Sequence, residues 1–188
     1  MICFLGKTDN CNFTVLNYTN YLDHLLQVHH IFKGEAQNFL KIRQKCSKDS
    51  PENYHHWISM STTFDSKTFI FRSFKIASDI YWSVGIIGND VEASKYSANI
   101  RIGMSDRSGA NKGKPHHVMQ TAVHSVRLFR YKFRQDQPHA QLKAAELKNI
   151  ASVKANVSKG NGWKFEWQTE YSLGLKDPPV SSSTVEIN

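Results

Sequence analysis

Cys3, Cys11, His24 and the adjacent His29 and His30 bring thiol and imidazole donors together within the first thirty residues. Zinc takes four such donors at roughly 2.0–2.3 Å, and two thiolates with two imidazoles make a closed tetrahedral set. The spacing is Cys-x7-Cys-x12-His-x4-His with His29, or x5 with His30. Residues five or six apart point in different directions on an ideal α-helix, so both histidines reach one ion only where the last turn loosens. The cysteine spacing is wider than the gap of roughly two to four residues in DNA-reading fingers. A site with four protein donors is structural, with no open position for water chemistry. The plainer alternative is a terminal thiol at Cys3 and ordinary surface histidines.

These donors need an element to hold them. Leu22, Leu25, Leu26 and Val28 mark an amphipathic helix of about ten residues, with Thr19 or Asn20 as its N-cap. Residues 1–32 form a module too small to fold on its own hydrophobic core, so a single structural Zn2+ serves as its staple. Residues 33–176 read as a β domain, and 177–188 as a frayed tail. Within the β domain, 38–42 and 56–60 are short candidate strands. From Lys67 the pattern strengthens. Phe69 to Ile76 is aromatic and β-branched, and Ile80, Trp82, Val84 and Ile86 alternate with Tyr81, Ser83, Gly85 and Ile87. A short helix is expected over 91–95. Tyr96, Ala98, Ile100, Ile102 and Met104 then share one face of a strand. Residues 105–117 read as a loop, 118–133 as one or two strands and 141–149 as a short helix. Val153, Ala155 and Val157 with Trp163, Phe165 and Trp167 flank an Asn161-Gly162 turn, which predicts a terminal hairpin. Many short strands separated by turns make the fold class mainly β, an antiparallel β-sandwich behind a small N-terminal zinc-finger module.

Composition narrows the function classes. The 188 residues suit one ordinary domain with a small appendage. No apolar run is long enough to span a membrane. Three cysteines cannot build a disulfide framework, and the odd count argues for a cytoplasmic or nuclear setting. The net charge of +8 permits contact with nucleic acid, but the lysines are scattered, which favours a solvated basic surface. Phe129 to Arg134 sets three cations against three aromatics along a strand, read here as a solvated face over a packed one. No phosphate-binding loop, nucleophile elbow or dinucleotide fingerprint is present. Cys46 has no paired base near it in sequence and reads as an idle thiol. His55-His56 and His116-His117 read as surface residues.

The order of these features resembles the seven-in-absentia family of RING-type ubiquitin ligases. The likeness begins with Cys3…Cys11-Asn12-Phe13…Tyr21-Leu22-Asp23-His24-Leu25-Leu26-Gln27-Val28-His29, which is similar to the second half of that family's paired zinc finger. It continues through Trp57-Ile58-Ser59-Met60…Phe64. It is best in Phe69-Ile70-Phe71…Trp82-Ser83-Val84-Gly85-Ile86-Ile87-Gly88, then Glu92-Ala93-Ser94-Lys95-Tyr96-Ser97-Ala98-Asn99-Ile100-Arg101-Ile102, and it fades after about residue 105. The resemblance implies a TRAF-like sandwich that dimerises through its sheet. It also implies that target proteins are recruited for proteasomal degradation by degron peptides lying as an added strand beside the zinc finger. Glu35, Trp57 and Ser59 fall near the family's groove positions. The departures are large. A RING needs eight zinc ligands of its own, and only Cys46 remains here. The first half of the paired finger is also missing. The chain is expected to be a fragment of a longer ligase or a RING-less relative. It carries no catalytic residues, so any RING and ubiquitin-conjugating enzyme must come from elsewhere. A RING-less adaptor that sequesters its targets is the main alternative, and a basic zinc-dependent nucleic-acid binder is the third.

Overall fold

Period-2 patterning over most of the chain produces two packed β-sheets. The computed structural model describes Cys3, Cys11 and residues 18–35, 37–47, 54–57, 59–104, 117–128, 139–150, 152–155 and 163–176. Helix α1 (Thr19–Gln27) precedes strands β1 (Phe32–Lys33), β2 (Phe39–Ser47), β3 (Tyr54–His56), β4 (Met60–Phe64), β5 (Lys67–Ile76) and β6 (Asp79–Ile86). Helix α2 (Asp90–Ser94) leads to β7 (Tyr96–Met104), β8 (His117–Ala122), β9 (His124–Ser125) and a 3₁₀ turn, Val126–Leu128. Then come β10 (Ala140–Lys143), α3 (Ala144–Ile150), β11 (Ser152–Ala155) and β12 (Trp163–Leu175).

The first sheet runs β1-β4-β5-β6-β10, with β3 on the β4 side of β5 and β9 on the β10 side of β6. The second is centred on β12. Strand β2 lies along one side of it, and β7 and β11 along the other, with β8 beyond β7. All pairs are antiparallel except β1 with β4 and β6 with β9. Among the described residues, no helix is long and apolar enough to cross a membrane.

The core lies between the sheets. Phe69 and Phe71 of β5 and Ile80, Trp82, Val84 and Ile86 of β6 pack against Ala98, Ile100 and Ile102 of β7 and Trp167, Tyr171 and Leu173 of β12. In its middle sits a polar group, Gln44, which is 2% exposed. Its side-chain carbonyl accepts from Trp82 Nε1 at 3.3 Å, Trp167 Nε1 at 3.1 Å and Thr169 Oγ1 at 2.6 Å. Its amide nitrogen donates to Ser73 Oγ. One side chain on an edge strand thus joins both sheets and satisfies two buried indoles.

The connections follow local chemistry. Asn89 Oδ1 accepts from Glu92 N–H, and Glu92 Oε2 accepts from Asn89 N–H, a reciprocal cap that starts α2. Gly88 precedes it because a Cβ there would lie 2.6 Å from Glu92 Oε2. The β4–β5 hairpin turns on Asp65 and Ser66, both with positive φ, as a two-residue turn of the primed type requires. Tyr96 Oη donates to Asp65 Oδ2 at 2.6 Å and braces that turn. Burial, and then this acidic partner, push the Tyr96 phenol up to about 12.

Several sequence expectations change. The alternation in β6 predicted one solvated face, yet every residue from Ile80 to Ile86 is buried. Its outer face is covered: Tyr81 stacks on Phe74 and meets His139, while His124 lies beside Gly85. The 56–60 run breaks between β3 and β4, and a bond from Trp57 N–H to Ser73 O prolongs β3. The 38–42 strand extends to Ser47 because β12 offers a nine-residue partner. The helix expected over 141–149 begins only at Ala144, and Ala140–Lys143 is a strand because β6 pairs with it. The β11–β12 hairpin forms as expected. Of the expected 105–117 loop, His117 instead opens β8 and the rest lies outside the described residues, as do the Phe129–Arg134 run, the Asn161-Gly162 turn and the 177–188 tail.

Two measurements follow from the buried polar groups. Replacing Gln44 by Leu would strand two indole N–H groups and two hydroxyls, each worth roughly 1–3 kcal/mol when left unsatisfied. Gln44→Leu is therefore expected to lower unfolding free energy by about 3 kcal/mol or more in urea titration, against near-neutral change if the amide were incidental. His124 is 3% exposed and donates from Nδ1 to Ser125 O. Burial, aided by the charge of Arg72, lowers its pKa from 6.5 to about 4. Above pH 6.5 both folded and unfolded chains hold this histidine neutral. Below it the unfolded chain takes up a proton that the folded chain refuses, so stability falls by roughly 1.4 kcal/mol per pH unit, about 3 kcal/mol in all by pH 4. His124→Gln should flatten that slope between pH 6.5 and 4. An unchanged slope would place the dependence in other groups.

Candidate metal centre

Helix α1 places the first histidine. Tyr21 and Leu25, one turn apart, are fully buried and meet Ile31, Ile70 of β5 and Val126 of the 3₁₀ turn, with Leu26 and Ile87 packed alongside. Burying two such side chains contributes roughly 1.5–3 kcal/mol each. The helix has no side-chain cap. Tyr18 occupies the cap position in helical conformation, in place of the expected Thr19 or Asn20, and is held instead by packing. The Arg127 guanidinium lies 5.1 Å from its ring centre. The first turn of the helix is therefore fixed by the 3₁₀ turn that follows β9, a tertiary contact replacing a local one.

The C-terminal end of α1 places the second histidine. Regular helix stops at Gln27, and His30 takes a left-handed φ of 49°. Ile31 N–H then donates back to Leu25 O at 3.3 Å. The chain folds over the helix end, and the His29 ring meets the His24 ring edge-on with centres 4.9 Å apart. This is the loosening that the histidine spacing required. His30 is exposed and outside the cluster.

The donor atoms converge. Cys3 Sγ lies 3.2 Å from His29 Nε2, Cys11 Sγ 3.3 Å from His24 Nε2, and the two Nε2 atoms 3.2 Å from each other. All four donor atoms lie within 4.8 Å of one another. A tetrahedron of donors at zinc distances has edges of about 3.3–3.8 Å, so the observed separations suit one shared ion. Cys3 is 3% and His24 8% exposed. Burial, and then the nearby His29, lower the His24 pKa, which favours the neutral imidazole a metal requires. Two thiolates would also cancel the charge of a divalent cation, so the filled site adds no net charge to a buried place. The residues present therefore fit a single closed-shell ion with N and S ligands. Such an ion would supply cross-linking, and no water-activating chemistry.

The remaining site expectations fall elsewhere. Glu35 is exposed just after β1. Ser59 is buried, its Oγ 3.4 Å from His56 Nε2 and its carbonyl accepting from Phe32 N–H. Trp57 is half-buried and packs edge-on against Trp167. Thus Glu35 and Ser59 border β1, while Trp57 belongs to the packing between the sheets. His117 is exposed at the start of β8. Cys46 pairs opposite Phe165 in the second sheet. Among the described residues, no other group of three His, Cys, Asp or Glu donors gathers in this way. Sequence reasoning missed the seat of the module, Ile70 with Val126. The available signal was the unbroken apolar run Phe69-Ile70-Phe71, which marks a strand buried on both faces.

No protein-family model matches this chain, and no curated protein shows significant similarity to it.

Titration of the reduced chain with zinc, or with cobalt as a visible probe, is expected to saturate at one ion per chain. His29→Ala should weaken uptake on the order of 100-fold or more, because a direct ligand matters at least as much as its outer partners. His30→Ala should leave uptake nearly unchanged. The reverse ranking would exchange the two histidines in the ligand set.

Proposed function

We propose that this chain is the substrate-recognition region of a seven-in-absentia-like ubiquitin ligase. In this reading Zn2+ is held by Cys3, Cys11, His24 and His29, and a TRAF-like sandwich captures target proteins. The observation that carries it is the union of the Cys2His2 cluster with a two-sheet β domain in the order the resemblance requires, the cluster being packed against Ile70 and Val126. A structural metal module on a sheet is binding architecture. It stiffens an edge, and it has no donor vacancy for chemistry.

The same edge supports capture of extended peptides. Among the described residues β1 ends its sheet, with only Phe32 and Lys33 paired to β4. Phe32 is 64% exposed, and Val28, at the C-terminal cap of α1, is exposed as well. A target segment added along β1 would gain main-chain hydrogen bonds from the edge and side-chain contacts from exposed Phe32, with Glu35 at the end of its path, while Ser59 lies on the other, paired side of β1. The module's own role is to hold a target and, as a homodimer joined through the sheet, to hold it twice. Transfer of ubiquitin then depends on a RING supplied elsewhere.

Screening extended peptides against the zinc-loaded chain tests this. Binding is expected to change less than about threefold between 50 and 200 mM salt, whereas a nucleic-acid site with several phosphate contacts loses roughly 10³-fold or more. Methylating alternate peptide nitrogens should abolish binding if main-chain pairing carries it. Failure of every peptide, together with steeply salt-dependent RNA or DNA binding, would replace this reading with the nucleic-acid one.

A further inference from the structure

We infer that Cys3 and Cys11 form a peroxide-sensitive latch that releases the metal and loosens the N-terminal module from the sheet. The inference rests on the metal reading above and adds a regulatory input to it. Both sulfurs belong to a donor set whose atoms all lie within 4.8 Å of one another. A disulfide needs them at about 2.05 Å, so closure is a local collapse of the site. The two thiols differ in access. Cys3 is 3% exposed and packs in the α1–Ile70–Val126 cluster, whereas Cys11 is half-buried at its edge. An oxidant from solvent meets Cys11 first, and Cys3 is the resolving partner.

The chemistry balances with hydrogen peroxide as the two-electron oxidant. The Cys11 thiolate attacks one peroxide oxygen, the O–O bond breaks, and hydroxide leaves, giving a sulfenic acid at Cys11. The Cys3 thiolate attacks that sulfur, the S–S bond forms, the S–O bond breaks, and a second hydroxide leaves. Two protons from solvent convert the hydroxides to water. Because the donor set contains only two sulfurs, a single disulfide removes both. His24 and His29 alone make a two-donor site far weaker than the closed four-donor one.

The structure carries the consequence outward. Cys3 shares its apolar contacts with Tyr21, Leu25 and Ile31. Ile31 directly precedes β1, and its N–H closes the end of α1 on Leu25 O. Drawing Cys3 toward Cys11 disturbs that cluster and, through Ile31, the two-residue edge strand at Phe32 and Lys33. Oxidation therefore acts on the same edge proposed to receive peptides. Cys46 is paired opposite Phe165 in the second sheet, away from β1 in the ladder order.

The full chain, loaded with zinc and freed of excess, is exposed to near-stoichiometric hydrogen peroxide beside a chromophoric zinc chelator. The expected result is about one zinc released per Cys3–Cys11 disulfide, found by peptide mapping and by a mass loss of two hydrogens. Amide-exchange protection over residues 21–31 should fall in parallel. A thiol reductant with added zinc should restore both, and Cys46→Ser should respond as the wild type does. Zinc retained under peroxide, or released without that disulfide, overturns the latch while leaving the metal assignment intact. A reduced chain that takes up no zinc overturns the metal assignment and the latch together.

Discussion

The Gln44 side chain is the constraint on which the sandwich depends. A buried amide between two sheets is tolerated only when its oxygen and nitrogen are both satisfied. Here the partners come from β5, β6 and β12, so strands from both sheets must be placed correctly at once. Gln44 lies opposite Trp167 in the β2–β12 ladder. Slipping that ladder by one residue would turn Gln44 outward and bring a cation such as Arg43, now exposed, into its place, a far costlier arrangement. Hydrophobic packing alone would allow several alignments of two greasy faces. The amide selects one of them, and the alignment so chosen fixes which residues of β5 face away from the core.

Those outward residues seat helix α1 and the Cys/His cluster. Ile70 is on the face of β5 opposite Phe69 and Phe71, and with Val126 it receives Tyr21 and Leu25. Helix α1 is held on this apolar seat, with the donor cluster at its C-terminal end. Metal binding of roughly 10–16 kcal/mol in small finger peptides is expressed as folding energy. An ion held by Cys3, Cys11, His24 and His29 would put part of that energy into ordering the helix end and the β1 edge. The module and the sheet are therefore one cooperative neighbourhood, with Ile31 as the residue common to the helix end, the apolar cluster and the start of the edge strand.

How much of this could be read beforehand varied with the range of the interaction responsible. Helix α1 and strands β5, β6, β7 and β12 follow from apolar periodicity, and the four donors follow from residue type and spacing. The choice of His29 over His30 does not, because it is set by one left-handed residue and by a bond from Ile31 back to Leu25. The Asp65-Ser66 turn carries neither Gly nor Asn to announce it, and it is held by Tyr96, 31 residues away. Strand β10 has a helix-forming sequence, but pairing with β6 overrides the local preference. Gln44 has no local signature, since a lone glutamine in a strand reads as solvent-facing until the second sheet arrives.

The ladder that closes the second sheet also sets an order of events during synthesis. Strands β4, β5 and β6 form a meander from neighbouring sequence, whereas Gln44 and Trp167 are separated by 123 positions. On a ribosome adding roughly 5–20 residues per second, the meander is complete about 5–20 s before the last residue of β12 is made. Throughout that interval Phe69, Phe71, Trp82, Val84 and Ile86 have no β12 to cover them. The nascent chain thus carries an uncovered apolar sheet face for that interval, and β12 ends the exposure by bringing its own indole to the waiting amide.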